Sequence, residues 1–169
     1  PPPPPTQYFL FVGAPATGKT TALKRFVKEA AATGDDEEEE DRPQLVQLKT
    51  AVLEAKKKSD TPLGLRVAKA MREQEQAAAA GEGDNESSGG LQHEPVAALP
   101  PQLIVDILCD ALAACTAKRQ VLIENFPDGS SAAEQLSLFE AAGFNYTAAF
   151  HFAAGAGAGA GTGAGAGAG

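Results

Sequence analysis

Apolar and polar positions follow two rhythms along this chain, and they change over at regular places. Phe9 to Val12 is an unbroken apolar run of strand length, after which the spacing stretches to that of a helix. Leu23, Phe26, Val27 and Ala30 recur at i, i+3, i+4 and i+7, which predicts a helix over about 20–32 that turns those four side chains to a sheet and stops at Gly34. Leu45 to Leu48 predicts a short second strand running into a helix near 50–57. Thr61 followed by Pro62 is an N-cap with proline in the first turn, and Leu63, Val67, Ala70 and Met71 form the apolar stripe of the helix it opens. Pro100-Pro101 opens a strongly apolar helix to about Ala117, with Leu103, Ile104, Ile107, Leu108, Ala111, Leu112 and Cys115 inward. Val121 to Glu124 reads as a buried parallel strand that ends in a carboxylate. Ser131 and Glu134 have capping-box spacing at the start of a helix that ends at Gly143. Thr147 to Phe152 is the last strand, with His151 read as a packed residue at the edge of the core. This order of elements predicts an α/β fold: a parallel sheet flanked by helices and joined by right-handed crossovers.

Composition breaks the pattern in four places. Pro1 to Pro5 is a polyproline start, read as part of a linker over 1–7 and as a sign that the chain is cut from a longer protein. Seven acidic residues from Asp35 to Asp41 supply all but one unit of the net charge of −8. The acidity is therefore one solvated tract, which argues against nucleic acid as its partner. From Ala77 to Glu94 the sequence reduces mostly to Ala, Gly, Ser, Asn and acidic residues, a disordered insertion by composition that holds the isolated His93. Ala153 to Gly169 alternates Gly and Ala and reads as a second linker. One domain over 8–152, with insertions near 34–43 and 76–96, is the organisation these breaks imply. No apolar run approaches the roughly 20 residues of a membrane span, so no membrane partner is expected. Cys109 and Cys115 lie six apart in one expected helix and cannot bridge to each other there, which favours a reducing, cytoplasmic setting.

The segment richest in chemistry joins the first strand to its helix: Gly13-Ala14-Pro15-Ala16-Thr17-Gly18-Lys19-Thr20-Thr21. It fits G-x-x-x-x-G-K-T between a strand and a helix, the context a phosphate-binding loop requires. Glycines let backbone N–H groups turn toward an anion, and the helix N-terminus adds partial positive charge. On that reading Lys19 reaches terminal phosphates and the hydroxyl of Thr20 ligates Mg²⁺. The plainer alternative is a glycine-bearing strand-to-helix turn with an incidental lysine.

Four segments, taken in order, resemble the nucleoside monophosphate kinases and specifically adenylate kinase. Gly13 to Thr21 is similar to that family's G-x-P-G-S-G-K-G-T loop. Pro62-Leu-Gly64 through Met71 resembles its helix bearing a glycine and, seven residues on, a methionine. Ala98-Leu-Pro-Pro-Gln-Leu-Ile-Val-Asp-Ile-Leu108 resembles its L-V-P-D segment and the apolar helix after it. Val121-Leu-Ile-Glu-Asn-Phe-Pro-Asp128 resembles L-I-D-G-F-P-R. The resemblance implies a P-loop NTPase-type sheet, incomplete because the lid and last strand of the family are absent. It implies ATP or ADP with Mg²⁺ as cofactors, and Thr20 with Glu124 as the metal-holding pair.

Departures from the family pattern limit what the resemblance implies. The two arginines that hold the acceptor phosphate fall on Glu54 (Ala55 with a one-residue shift) and on Asp128, and an expected glutamine falls on Ala132. Lys49, Lys56, Lys57 and Lys58 lie nearby, without the bidentate fork of arginine. Ala16 replaces a loop glycine, where its methyl is expected to crowd the phosphates. The leading expectation is an interaction or structural module that binds ATP or ADP without phosphoryl transfer, with no catalytic residues. Its partners would be other proteins of a large assembly, because adenylate-kinase-like modules occur in axonemal proteins of cilia and flagella. Two alternatives stay open: an active kinase completed by sequence or a partner outside the chain, and a P-loop NTPase or switch.

Overall fold

The computed structural model of the chain describes residues 5–14, 16–33, 42–80, 99–115 and 118–153. Nine longer elements follow one another in it as β1 (Gln7–Gly13), α1 (Lys19–Thr33), β2 (Gln44–Gln47), α2 (Leu48–Lys57), α3 (Pro62–Ala80), α4 (Pro101–Ala113), β3 (Gln120–Glu124), α5 (Ala132–Ala141) and β4 (Tyr146–Phe152). The strands form one sheet in the order β2-β3-β1-β4. Every pairing is parallel, as the apolar runs predict.

Helices α2 to α5 build the core on one face of the sheet. Leu10 of β1, Val46 of β2, and Val121 and Ile123 of β3 join a single buried cluster with residues of these helices. Helix α4 is its centre: Leu103, Ile104, Val105, Ile107, Leu108 and Leu112 are all buried, and it packs against α2, α3 and α5. Each such side chain contributes roughly 1.5–3 kcal/mol by leaving water. The cap at α3 forms as expected, with Thr61 Oγ1 accepting the Gly64 N–H at 3.0 Å. Gly64 has a packing reason as well, since a Cβ there would lie 1.9 Å from the carbonyl oxygen of Lys58.

The opposite face is only partly covered. Helix α1 packs against β2 and β3 there. Of its four expected inward residues Leu23 is buried, Val27 and Ala30 are half-buried, and Phe26 is 49% exposed. Periodicity identified the apolar stripe of α1, but its contacts with β2 and β3 leave Phe26 largely outside them. His151 is exposed rather than packed, on a strand that forms one edge of the sheet.

Three boundaries also differ from expectation. Helix α3 continues to Ala80, into the stretch read as an insertion, because its alanines favour helix. Helix α4 ends at Ala113, so Cys115 lies in the turn beyond it, and both cysteines are free thiols. The Ser131–Glu134 capping box does not form. Ser131 caps α5 without a side-chain bond to its backbone, and its hydroxyl instead accepts from Gln135 Nε2 at 2.8 Å. Pro1–Pro4, Pro15, the acidic tract 35–41, His93 and the Gly-Ala residues 154–169 lie outside the described residues. No helix among the described residues is long and apolar enough to cross a membrane.

Candidate functional site

A cleft of about 420 Å³ opens at the carboxyl end of β1, β2 and β3, lined among others by Gly13, Lys19, Thr20, Gln47, Lys49 and Asp128. Crevices at this end of parallel strands are where α/β proteins commonly place ligands. Its floor is the turn between β1 and α1. Gly13 has φ +144°, and a Cβ there would meet the carbonyl oxygen of Phe152 at 2.3 Å. The first glycine of the loop is therefore demanded by the approach of β4, whatever binds above it. Gly18 has φ +79° with open space around it, so its backbone conformation, not crowding, selects glycine.

Ala16 adopts φ +61°. An alanine in the left-handed region costs about 1 kcal/mol or more through contact of its Cβ with the carbonyl that follows. The alanine thus bears on the loop through backbone strain. Thr17 Oγ1 donates to the carbonyl of Ala14 at 2.9 Å and tightens the turn. Thr21 begins the exposed side of α1 and lines the cleft.

Two charged side chains are buried here, Lys19 in the lining of the cleft and Glu124 behind Thr20 and Gln47. Lys19, 5% exposed, folds back so that Nζ donates to the carbonyls of Gly13 at 2.9 Å and Ala14 at 3.2 Å. Glu124, fully buried at the end of β3, accepts the hydroxyl of Thr20 on one oxygen and Gln47 Nε2 at 2.6 Å on the other. Neither forms an ion pair among the described residues. Burying an ionised group costs several kcal/mol unless another charge or a full set of hydrogen bonds offsets it. A buried cation and a buried anion, each hydrogen-bonded only to neutral groups, are suited to a ligand that brings both signs.

The far wall is built differently. After β3 the chain turns through Asn125, at φ +62°, whose N–H donates to the carbonyl of Phe11 at 2.9 Å. Gln135 is buried on α5 and holds this turn from below. It accepts the Asp128 N–H at 3.0 Å and donates to the Asp128 carbonyl at 2.6 Å. The turn therefore presents Asp128 in the cleft wall. Lys49 lines the same cleft, while Lys57 pairs with Glu54 and Lys58 with Asp110 elsewhere. Glu54 lies along a separate groove beside β2, and Ala55 is in the core.

Of the residues singled out from the sequence, the structure brings Gly13, Ala16, Thr17, Gly18, Lys19, Thr20 and Thr21 to one cleft with Asp128, and joins Thr20 to Glu124. Ala14 holds Lys19 through its carbonyl, Pro15 is outside the described residues, and Glu54 is turned elsewhere. Sequence reasoning missed Gln47 and Gln135. The signal for Gln47 was its register, directly beside Glu124 in the β2–β3 pairing. No group of three or more His, Cys, Asp or Glu side chains suited to a metal occurs among the described residues. A divalent cation here would have to find most of its oxygens on a ligand, which is how Mg²⁺ commonly binds beside phosphates. No protein-family profile matches this chain, and no curated protein sequence matches it significantly.

Proposed function

We propose that this chain is a nucleotide-holding module of adenylate-kinase-like, P-loop type, which binds ATP or ADP with Mg²⁺ and does not transfer phosphate. The observation that carries the reading is a pair of buried, mutually unpaired charges: Lys19, which lines the strand-end cleft, and Glu124, which lies behind it and is joined to its lining through Thr20 and Gln47. Both would be met by a magnesium–polyphosphate, for which Lys19 would exchange its carbonyl partners for phosphate oxygens and Thr20 with Glu124 would hold the cation. Mg²⁺ supplies neutralisation of phosphate charge, and the exposed loop N–H groups add to it.

The far wall argues against transfer. Phosphoryl transfer depends on positive charge arranged around the moving group and on exclusion of water. Asp128 puts a carboxylate in the wall where the family resemblance implies an arginine, and Lys49 in the same lining lacks the bidentate fork of an arginine. A carboxylate about 6 Å from a phosphate charge, at an effective dielectric near 20, repels it by roughly 3 kcal/mol. Membership of a larger assembly, such as a ciliary axoneme in the cytoplasm, rests on the resemblance alone.

Equilibrium titration of the purified chain with Mg–ATP, and separately with AMP, tests the reading. Saturable binding of Mg–ATP that falls at least tenfold in Lys19→Met, with no binding of AMP, is the expected result. Equal affinity of Lys19→Met and the parent chain for Mg–ATP would remove the loop from the site.

A further inference from the structure

Strand β4 forms one edge of the sheet, paired to β1 on its inner side, and among the described residues nothing pairs with its outer side. Natural edge strands are usually shortened, charged, broken by proline or covered. This one, Tyr-Thr-Ala-Ala-Phe-His-Phe, has seven residues, no proline and no Lys, Arg, Asp or Glu. Its single irregularity is a register shift at the start, between the pairs Tyr8–Tyr146 and Phe9–Ala148, which leaves Ala148 to Phe152 regular. Phe150 is 45% exposed although it stacks on Phe11 with centroids 5.0 Å apart. With Phe9 and Phe152 these rings make an aromatic row that runs to the edge of the sheet.

We propose that the β4 edge takes β4 of a second copy of this chain, antiparallel about a two-fold axis at Phe150, to form one eight-stranded sheet. Self-complementarity of the strand selects this occupant. With the axis at Phe150, the two Phe150 rings face each other, Ala148 faces Phe152 of the mate, and Ala149 faces His151. Large side chains thus meet small ones or their own kind, aromatic cross-strand pairs are stabilising, and no two ionisable groups are directly opposed. The aromatic row then continues from one copy into the other. Five paired residues span about 17 Å and bury roughly 400 Å² per copy, half of the ~800 Å² typical of a stable partner surface. The dimer is therefore weak and concentration-dependent, and it does not depend on nucleotide in the cleft.

Sedimentation equilibrium of the 169-residue chain from about 5 to 500 µM tests this. The mass should rise from the 17.3 kDa of one chain toward twice that value. Phe150→Lys sets two ammonium groups against each other on the axis and should shift the midpoint at least tenfold higher. Ala149→Lys, at an exposed position on the other face of the strand, should do the same. That second variant carries the test if Phe150→Lys loses its native circular dichroism. Monomer mass throughout, growth beyond two copies, or association unchanged in Ala149→Lys would each overturn the proposal. The last would also place any self-association on the aromatic face or elsewhere, not on the edge.

Discussion

The two faces of the sheet were made under different constraints. One carries α2 to α5 and nearly the whole buried cluster, with α4 apolar on most of its circumference. Among the described residues the other carries α1, the Thr20–Glu124–Gln47 cluster, and an aromatic row that ends at the exposed Phe150. Stability is concentrated on the first face. The candidate chemistry lies at the strand ends and on the second, where Lys19, Thr20 and Glu124 are held by hydrogen bonds more than by packing. The contrast implies that the site can be altered without unfolding the domain, provided the far wall keeps its support from α5.

The largest expected effect is on the packed face. Leu108→Ala should lower stability by about 3 kcal/mol in urea titration, through lost burial and a residual cavity, whereas Phe150→Ala should cost under about 1 kcal/mol at a few micromolar protein. Equal losses would break the comparison. Next comes the support of the far wall: Gln135→Ala removes two hydrogen bonds to the Asp128 backbone and should cost about 2 kcal/mol in the same titration. Charge in that wall follows. Asp128→Arg exchanges repulsion for attraction and should bring AMP binding, absent in the parent chain, into the range calorimetry detects, with Mg–ATP affinity changed little. Ala16→Gly should then raise thermal stability by about 1 kcal/mol, by relieving the left-handed alanine.

The smallest effect is alkaline. Burial pushes the thiols of Cys109 and Cys115 above the ordinary value of 9.0, with Asp106 adding to the first and Lys118 partly offsetting the second. Burial, aided by the same two thiols, likewise raises Tyr8. Raised acids of this kind favour the native state below their unfolded values, and that contribution is lost as pH rises through the folded ones. Stability should therefore decline above about pH 9, and Cys109→Ser should make the decline shallower in pH-dependent urea titrations.

Much of the fold could be read from the chain because short apolar runs bounded by turn residues leave few alternatives to buried parallel strands. Val121 to Glu124 and the stripe of α4 are examples, each fixed by local spacing. Phe26 and His151 were less legible, since periodicity says which side chains are apolar but not whether anything is available to cover them. The loop from Gly13 to Thr21 stood out because its residues are consecutive. Gln47 and Gln135 did not, because their roles come from meeting distant partners, Glu124 through sheet register and Asp128 through the turn before α5. Gly13 shows the reverse case: a motif glycine with a packing cause that only the neighbouring strand reveals.

Nucleotide binding and the absence of transfer are both read by a single phosphorus NMR time course on the chain with ATP, Mg²⁺ and AMP. The ATP resonances should broaden or shift as protein is added, those of AMP should not, and no ADP signal should grow over hours. Growth of ADP at a rate proportional to protein, or ATP resonances unaffected at protein concentrations of several hundred micromolar, would contradict binding without transfer.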